Sequence, residues 1–356
     1  MTKKTTPHSH EAAPQPLGLS PHKDLKTGNS RAEETNFLQC ARFSEGSILL
    51  YDQYIGDQKR TISDEHREKL REAEKFGGDI TPNTRKKIRR ILHGWLYPIH
   101  SPHLRDIASH HKKRPLITFV TLTLVAPQRH DDNWVKRNML NTFLQWMRDA
   151  EGITNYLWRA EKQKNNNIHF HVLIDKAISW RSIRTEWNRI QMQHGYINDY
   201  REAQQSWHKN GFRPRPELYK NWPHEAQLKA YLHGIGTNWT DPNSTDIHQL
   251  RKIKNVSAYV IKYCAKAESE GNRVEGRKWS CSNSLTDLKY YTEYLENDTW
   301  EMLKDIESQG IAEIKREENF TMYIIDVPQL LEKYPSIWLR FHRHHLQQFY
   351  ILYPPD

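Results

Sequence analysis

The stretch NYLWRAEKQKNNNIHFHVLID, residues 155–175, consists of two strand-like segments on either side of a run of asparagines. Aromatic and β-branched residues favour strands, and Asn suits a turn because it tolerates the left-handed backbone conformation. The stretch therefore predicts a β-hairpin with KNNN as its turn. In the second strand His169 and His171 are two residues apart, so both imidazoles point to one face of the sheet.

The first strand of this hairpin brings a carboxylate to the same place. Glu161 is expected opposite or diagonal to the two histidines. Two imidazoles and one carboxylate predict a metal site whose open positions accept water or substrate. Such a donor set suits Mg or Mn when phosphate oxygens complete it, and it would also take Zn or Fe. A bare His-x-His pair is more often a polar stripe on a half-solvated sheet, but Glu161 and the apolar setting favour ligands.

A second motif is YVIKYCAK, residues 259–266, within a predicted helix over 255–268. Tyr259 and Tyr263 are four residues apart and share a helix face, with Lys266 one turn further and Lys262 to one side. Free tyrosine has a pKa of about 10, so it becomes a nucleophile only when a cation favours the phenolate. Taken alone, the motif is more typical of an amphipathic helix whose tyrosines pack on a sheet than of a catalytic site.

Composition narrows the classes of partner and environment. The 356-residue chain has a net charge of +10, which fits a polyanionic partner such as nucleic acid but also a merely soluble protein. Its twelve Trp and seventeen Tyr suit the stacking of unpaired bases, although core packing must account for most of them. Its three cysteines are far apart and form no CxxC pair, which argues against a zinc ribbon or a disulfide framework. The sequence has neither an apolar secretory signal nor a run long enough to span a membrane. We expect a cytoplasmic protein that does not bind membranes.

The rest of the chain suggests four segments. Residues 1–35 are expected to be a disordered tail, 36–110 a helical basic segment, 111–285 the domain with both motifs, and 286–356 an α/β extension. Within the central domain we predict a strand at 116–125, helices over 131–152 and 179–195, a polar loop over 198–224 and a short strand at 246–254. A further helix is predicted at about 285–307. The basic helix carries five candidate DNA-binding residues, although a solvated charged face fits them about as well: Arg85, Lys86, Lys87, Arg89 and Arg90.

Three motifs together resemble the HUH endonuclease superfamily. The apolar strand FVTLT at 119–123, the metal-binding HFH at 169–171 and the tyrosine helix YVIKYCAK occur in the family's order. The resemblance covers about residues 116–285. It is closest to the two-tyrosine initiators of rolling-circle replication in small single-stranded DNA phages and plasmids.

The resemblance implies an α+β fold, with helices packed on a central antiparallel β-sheet, and a metal-dependent enzyme that nicks and rejoins single-stranded DNA. A divalent metal, Mg or Mn, would bind Glu161, His169 and His171. Tyr259 or Tyr263 would attack the phosphate to form a 5′-phosphotyrosine and a free 3′-hydroxyl, and Lys262 would orient the phosphate. Lys254 and Lys266 are further candidate DNA contacts.

The expected partners are single-stranded DNA or an origin hairpin. Since no P-loop motif occurs, a host helicase and polymerase are expected to assist.

Three alternatives remain open at the level of sequence. A transposase or a mobilisation relaxase would use the same chemistry for another purpose. A non-catalytic protein that binds single-stranded nucleic acid would use its tyrosines to stack bases. A metal-dependent hydrolase would use water as its nucleophile and would form no covalent adduct.

Overall fold

The computed structural model describes residues 37–55, 63–65, 67–68, 80–101, 104, 115–249, 260 and 273–354. In these ranges the protein has an α+β fold with two antiparallel five-stranded sheets and helices packed on them, as predicted. One sheet carries the histidine hairpin and is called the site sheet. The other, called the terminal sheet, combines strands from the beginning and the end of the described chain. No helix in the described ranges is both long enough and apolar enough to cross a membrane.

The site sheet has the strand order β6-β3-β5-β4-β7. Its strands are β3 (Thr118–Thr123), β4 (Tyr156–Lys162), β5 (Ile168–Ile174), β6 (Thr245–Gln249) and β7 (Trp279–Cys281). The predicted hairpin is confirmed as β4–β5, and Asn166 in its turn has a φ of 64°. This is the left-handed conformation that made Asn suitable there.

One face of the site sheet is covered by helices that the sequence predicted. They are α2 (Asp132–Val135, a π-helical turn Lys136–Leu140, then Asn141–Asp149) and α3 (Trp180–Gln193). The Asp131 side chain caps α2 by accepting from the Trp134 backbone N–H at 2.8 Å. Phe170 points into this apolar core and is fully buried, so its neighbours His169 and His171 lie on the opposite face.

That opposite face is partly covered by α1 (Pro82–His100). Ile88, Leu92 and Trp95 of α1 form one buried cluster with Phe119, Leu157 and Leu173 of the site sheet. A Thr81 cap and Pro82 start this helix. The amphipathic helix predicted from the basic segment is therefore present, and it packs on the face that bears the histidines.

The helical prediction for the whole of 36–110 is wrong at its start. Residues 37–54 form a hairpin, β1 (Phe37–Ser44) and β2 (Ser47–Tyr54), whose buried residues apart from Cys40 follow a period of two: Ala41, Phe43, Ile48 and Leu50. This is the alternation of a half-buried strand, not of a helix.

The hairpin joins three strands from the other end of the chain to complete the terminal sheet, in the order β8-β1-β2-β10-β9. These strands are β8 (Tyr291–Tyr294), β9 (Glu313–Glu317) and β10 (Phe320–Ile324). The segments predicted as 36–110 and 286–356 thus share one sheet, while the four-segment division itself stays a prediction.

Two further predictions need correction. The proposed loop over 198–224 contains α4 (Tyr196–Trp207) and a short 3₁₀ turn (Pro216–Leu218), and α5 (His224–Gly236) follows. The proposed helix at 285–307 is α6 (Asn283–Thr286), strand β8 and α7 (Asn297–Ser308). Both segments are rich in polar residues, so tertiary contacts rather than a strong local pattern decide their structure. The chain ends with α8 (Val327–Lys333) and α9 (Pro335–Leu352).

Candidate metal centre and its surroundings

Strand register places the predicted metal ligands in adjacent rows across the site sheet. Glu161 of β4 and Thr123 of β3 are both paired with His169 of β5. In the next row, Arg159 and Thr121 are paired with His171. Because directly paired residues share a face, both histidines, the glutamate and the arginine project to the same side.

The three predicted ligands converge on one point. The Nε2 atoms of His169 and His171 each lie 3.6 Å from Oε2 of Glu161, and the two imidazole centroids are 4.6 Å apart. One ligand atom from each residue falls within 4.8 Å of the others. A separation of 3.6 Å is too long for a good hydrogen bond, but it suits two atoms that share a metal at about 2.0–2.2 Å from each.

Neighbouring side chains hold two of these ligands in place. The buried Arg159 donates from Nε to Oε1 of Glu161 at 3.0 Å, which leaves Oε2 facing the histidines. The Thr121 hydroxyl lies 3.1 Å from Nδ1 of His171, and the Phe119 ring stacks on that imidazole. Contacts of this kind fix the ring orientation of a metal-binding histidine and present its other nitrogen to the ion.

Electrostatics keep the glutamate ionised. Burial raises the pKa of Glu161, but the imidazoles of His169 and His171 and the Arg159 guanidinium outweigh burial and hold that pKa well below its usual range. The carboxylate is therefore negatively charged at neutral pH, the state in which it binds a cation.

The donor set and its surroundings fit a divalent cation. Both ring nitrogens of His169 are buried and have no hydrogen-bond partner among the described residues, which is costly unless something else satisfies them. An ion bound by Nε2 would satisfy one of them. Two imidazoles and one carboxylate accept several divalent metals, so the identity of the ion is not fixed by these ligands.

The segment predicted as the tyrosine helix, residues 255–268, is described only at Val260. Tyr259, Lys262, Tyr263, Lys266 and Lys254 all lie outside the described residues.

Val260, which directly follows Tyr259 in the sequence, is described and fully buried. It belongs to the cluster that includes Phe119, Leu157 and Leu173, on the histidine face of the sheet. At Val260 the chain therefore reaches the same face as the candidate metal centre.

The basic residues of α1 lie beside that face. Lys86, Lys87 and Arg89 are exposed, and Arg85 and Arg90 are half-buried. Nζ of Lys87 lies 5.8 Å from the ring centroid of Trp279, a β7 residue that pairs with Arg159. The row that contains His171 thus continues through Arg159 and Trp279 to a cation of α1.

Sequence reasoning missed the supporting residues of the centre. Arg159 and Thr121 were inside predicted strands, and their alternation with Glu161 and Thr123 would have placed them on the ligand face. Asp246 of β6 pairs with Thr121 and extends the row that contains His171 on its other side. Its position depends on the β3–β6 pairing, for which the local sequence gives no register.

Comparison with known proteins adds one finding to this geometry. Residues 117–268 match a family model of replication-associated proteins, that of the replication-associated protein ORF2. The matched segment begins just before β3, contains the whole β4–β5 hairpin and extends through the YVIKYCAK motif. It covers less than half of the chain and supports a place among replication initiator proteins. Neither the curated proteins nor the solved structures gave a match.

Proposed function

We propose that this protein is a metal-dependent single-stranded DNA endonuclease and strand transferase that starts rolling-circle replication. The observation that carries the proposal is the convergence of Glu161, His169 and His171 on one face of an antiparallel sheet, within a segment that matches replication-associated proteins. The buried Val260, on the same face, supports a tyrosine motif that works beside these ligands. The charge of +10 and the cations of α1 fit a DNA partner.

In this proposal Glu161, His169 and His171 would hold a divalent ion, which would supply Lewis-acid polarisation of the scissile phosphate and offset developing negative charge. Arg159 keeps Glu161 oriented, and Thr121 keeps Nε2 of His171 directed at the ligand cluster. Tyr259 or Tyr263 loses its phenolic proton and forms a bond to phosphorus. The bond between phosphorus and the 3′-oxygen breaks, and this oxygen takes up a proton in place of the one that the tyrosine lost. The products are a 5′-phosphotyrosine and a free 3′-hydroxyl that can prime synthesis. Lys262 stabilises the phosphate, and Lys254 and Lys266 contact flanking DNA.

A second tyrosine would allow a second DNA cleavage by the same protein molecule. While one holds the first 5′ end, the other can cleave the regenerated origin, and the retained phosphodiester energy allows rejoining. Arg85, Lys86, Lys87, Arg89 and Arg90 would bind the backbone of DNA that crosses the histidine face. Their exposure differs, and we assign the phosphate contacts first to Lys86, Lys87 and Arg89.

The test is covalent capture. Single-stranded oligonucleotides of random sequence are incubated with the protein and Mn²⁺, and one set is labelled at the 3′ end and another at the 5′ end. The proposal expects an SDS-resistant adduct that retains only the 3′ label, and a shortened 5′-labelled product that a polymerase extends. EDTA should abolish both. Glu161→Gln and His169→Gln should also abolish both, whereas the matched control His130→Gln should not.

The nucleophile is tested separately. The double variant Tyr259→Phe/Tyr263→Phe should form no adduct, whereas Tyr294→Phe, at an exposed tyrosine of the terminal sheet, should form as much as the wild type. Persistence of the adduct in the double variant would refute the assignment. Cleavage without an adduct would instead indicate water as the nucleophile, and metal-independent binding without cleavage would indicate a binding protein.

A further inference from the structure

A cavity of about 520 Å³ opens at the end of the site sheet that carries the triad. Residues 123–127, where β3 ends, form one wall, and α4, α5 and the loops around them form the others. Thr123 in this wall is the direct strand partner of His169. The cavity lining therefore includes a residue of the strand next to His169, and the cavity volume is within the range of about 300–1,000 Å³ typical of ligand sites.

Flat rings dominate the lining. Trp207, His208, Phe212, Tyr231 and Trp239 all contribute to it. His208 stacks on Trp239 with the two ring centroids 5.3 Å apart and the ring planes within 4° of parallel. Burial lowers the pKa of His208, so this ring is neutral at pH 7. Such surfaces stack with any unpaired base, because every base has a π-face.

Positive charge accompanies the rings, while the acidic groups are already engaged. The guanidinium carbons of Arg213 and Arg215 lie 3.9 and 4.7 Å from the ring centroid of Trp207. Of the two lining carboxylates, Asp199 is paired with Arg129, and Asp241 accepts from the Asn188 amide at 3.1 Å. The cavity thus combines stacking surfaces with cations that can bind a phosphate.

The cavity walls are held by polar contacts, three of them made by the buried side chain of Gln227. The Gln227 side chain accepts from the Arg215 N–H at 2.7 Å and donates to the carbonyl oxygens of Arg215 and Trp222. The Trp207 indole donates to the Arg213 carbonyl at 2.9 Å. These contacts fix the loop that carries both arginines, so little ordering is needed when a ligand binds.

The backbone conformation of the turn after α5 also indicates a functional site at the cavity. Asn238 and Trp239 have φ values of 49° and 58°, in a region that residues other than glycine seldom occupy. This turn places the Trp239 ring against Gly234 of α5 so closely that a Cβ on the glycine would lie 2.1 Å from the ring. Strained conformations of this kind concentrate at functional sites.

We propose that this cavity takes one unpaired base of the single-stranded DNA next to the scissile phosphate, with Arg213 and Arg215 on the adjoining backbone. The inference rests on the proposed function and deepens it, because such a pocket would fix which nucleotide lies at a set distance from the metal centre. Bases removed from a stack are held by aromatic and guanidinium planes of this type.

The cavity can be filled without removing a contact residue. Ala203 of α4 is exposed and lines the cavity, so Ala203→Trp would occupy its space. Glu202, next to it on α4, is exposed and is not part of the lining, so Glu202→Trp is the matched control. Both full-length variants and the wild type are mixed with short random-sequence single-stranded DNA that carries 5-iododeoxyuridine, in EDTA so that no cleavage intervenes. After irradiation, cross-linked peptides are mapped by mass spectrometry.

We expect cross-links at Trp207, Phe212 or Tyr231 in the wild type and in Glu202→Trp, and their loss in Ala203→Trp. DNA affinity, measured by fluorescence anisotropy, should fall about 10- to 100-fold in Ala203→Trp, as expected when one stacked base is lost. Cross-links confined to residues outside the cavity, or equal DNA affinity of Ala203→Trp and Glu202→Trp, would overturn the base pocket. If the wild type still nicked DNA, the endonuclease proposal would stand without the pocket. Cross-links inside the cavity, without any covalent adduct in Mn²⁺, would support the base pocket and contradict the endonuclease proposal.

Discussion

Two buried histidines under the terminal sheet predict an acid-sensitive fold. His93 of α1 is 5% exposed and His345 of α9 is 0% exposed, and their ring centroids are 5.6 Å apart. No ring nitrogen of either residue has a hydrogen-bond partner in the described part of the chain. Burial, followed by the nearby His344, lowers the pKa of His93 from 6.5 to about 4. Burial, followed by His93, His344 and His342, lowers the pKa of His345 well below 6.5.

The direction in which pH changes the stability of the fold follows from proton binding. Between pH 6.5 and about 4 the unfolded chain binds a proton at position 93 that the folded chain does not. The contribution of His93 to stability is therefore complete above pH 6.5, falls as the pH drops through that value, and is fully lost near pH 4. At pH 5 the loss from His93 alone is about 2 kcal/mol, at about 1.4 kcal/mol per pH unit. His345 adds to this loss in the same direction.

The perturbation that isolates this effect is His93→Phe. The Phe ring keeps the stack on Tyr97, whose centroid is 5.3 Å from that of His93, and it removes two buried polar atoms. Urea unfolding at pH 7.5 and pH 5 gives the free energy of unfolding of each protein. The decrease in the free energy of unfolding from pH 7.5 to pH 5 should be about 2 kcal/mol smaller in His93→Phe than in the wild type. His224→Gln, at an exposed histidine, should follow the wild type. Equal losses in wild type and His93→Phe would refute the reasoning.

Three further predictions concern the metal centre and the cavity. Mn²⁺ at about 100 times its Kd should stabilise the wild type by about 2.7 kcal/mol in thermal unfolding, and His169→Gln should abolish this shift because a ligand is lost. Arg159→Met should weaken Mn²⁺ binding about 10- to 100-fold in calorimetric titration, since Glu161 loses the contact that orients it, and unchanged affinity would contradict that role. Gly234→Ala should destabilise by about 1–3 kcal/mol through collision with Trp239, whereas Gly236→Ala, which has open space, should not lower the melting temperature.

The parts of the fold that the sequence predicted are those determined by nearby residues. The β4–β5 hairpin follows from two alternating segments and an Asn turn, and the triad follows from the hairpin because Glu161 and His169 are only eight residues apart. The same alternation explains why Phe170, between the two histidines, lies in the core on the other face. No distant part of the chain is needed for any of these features.

The features that escaped prediction depend on long-range contacts. The β1–β2 hairpin has a period of two, but its membership of a sheet depends on β8 and β10, far along the chain. The cavity joins residues 123–127 to α4, whose polar sequence resembles a loop, and to α5. Its aromatic residues are scattered between positions 200 and 239, so only the folded chain shows that they meet.

The terminal sheet also has a consequence for synthesis. The hairpin β1–β2 leaves the ribosome early, yet its outer neighbours β8 and β10 follow about 250 residues later, which at typical elongation rates is tens of seconds. Throughout that interval both edges of the hairpin offer unpaired backbone groups, and its apolar face, with Phe43 and Ile48, has no cover from α7 or α9. An edge of this kind is a template for pairing with another nascent chain. We therefore expect the yield of soluble protein to depend on chaperones and on slow, cool expression.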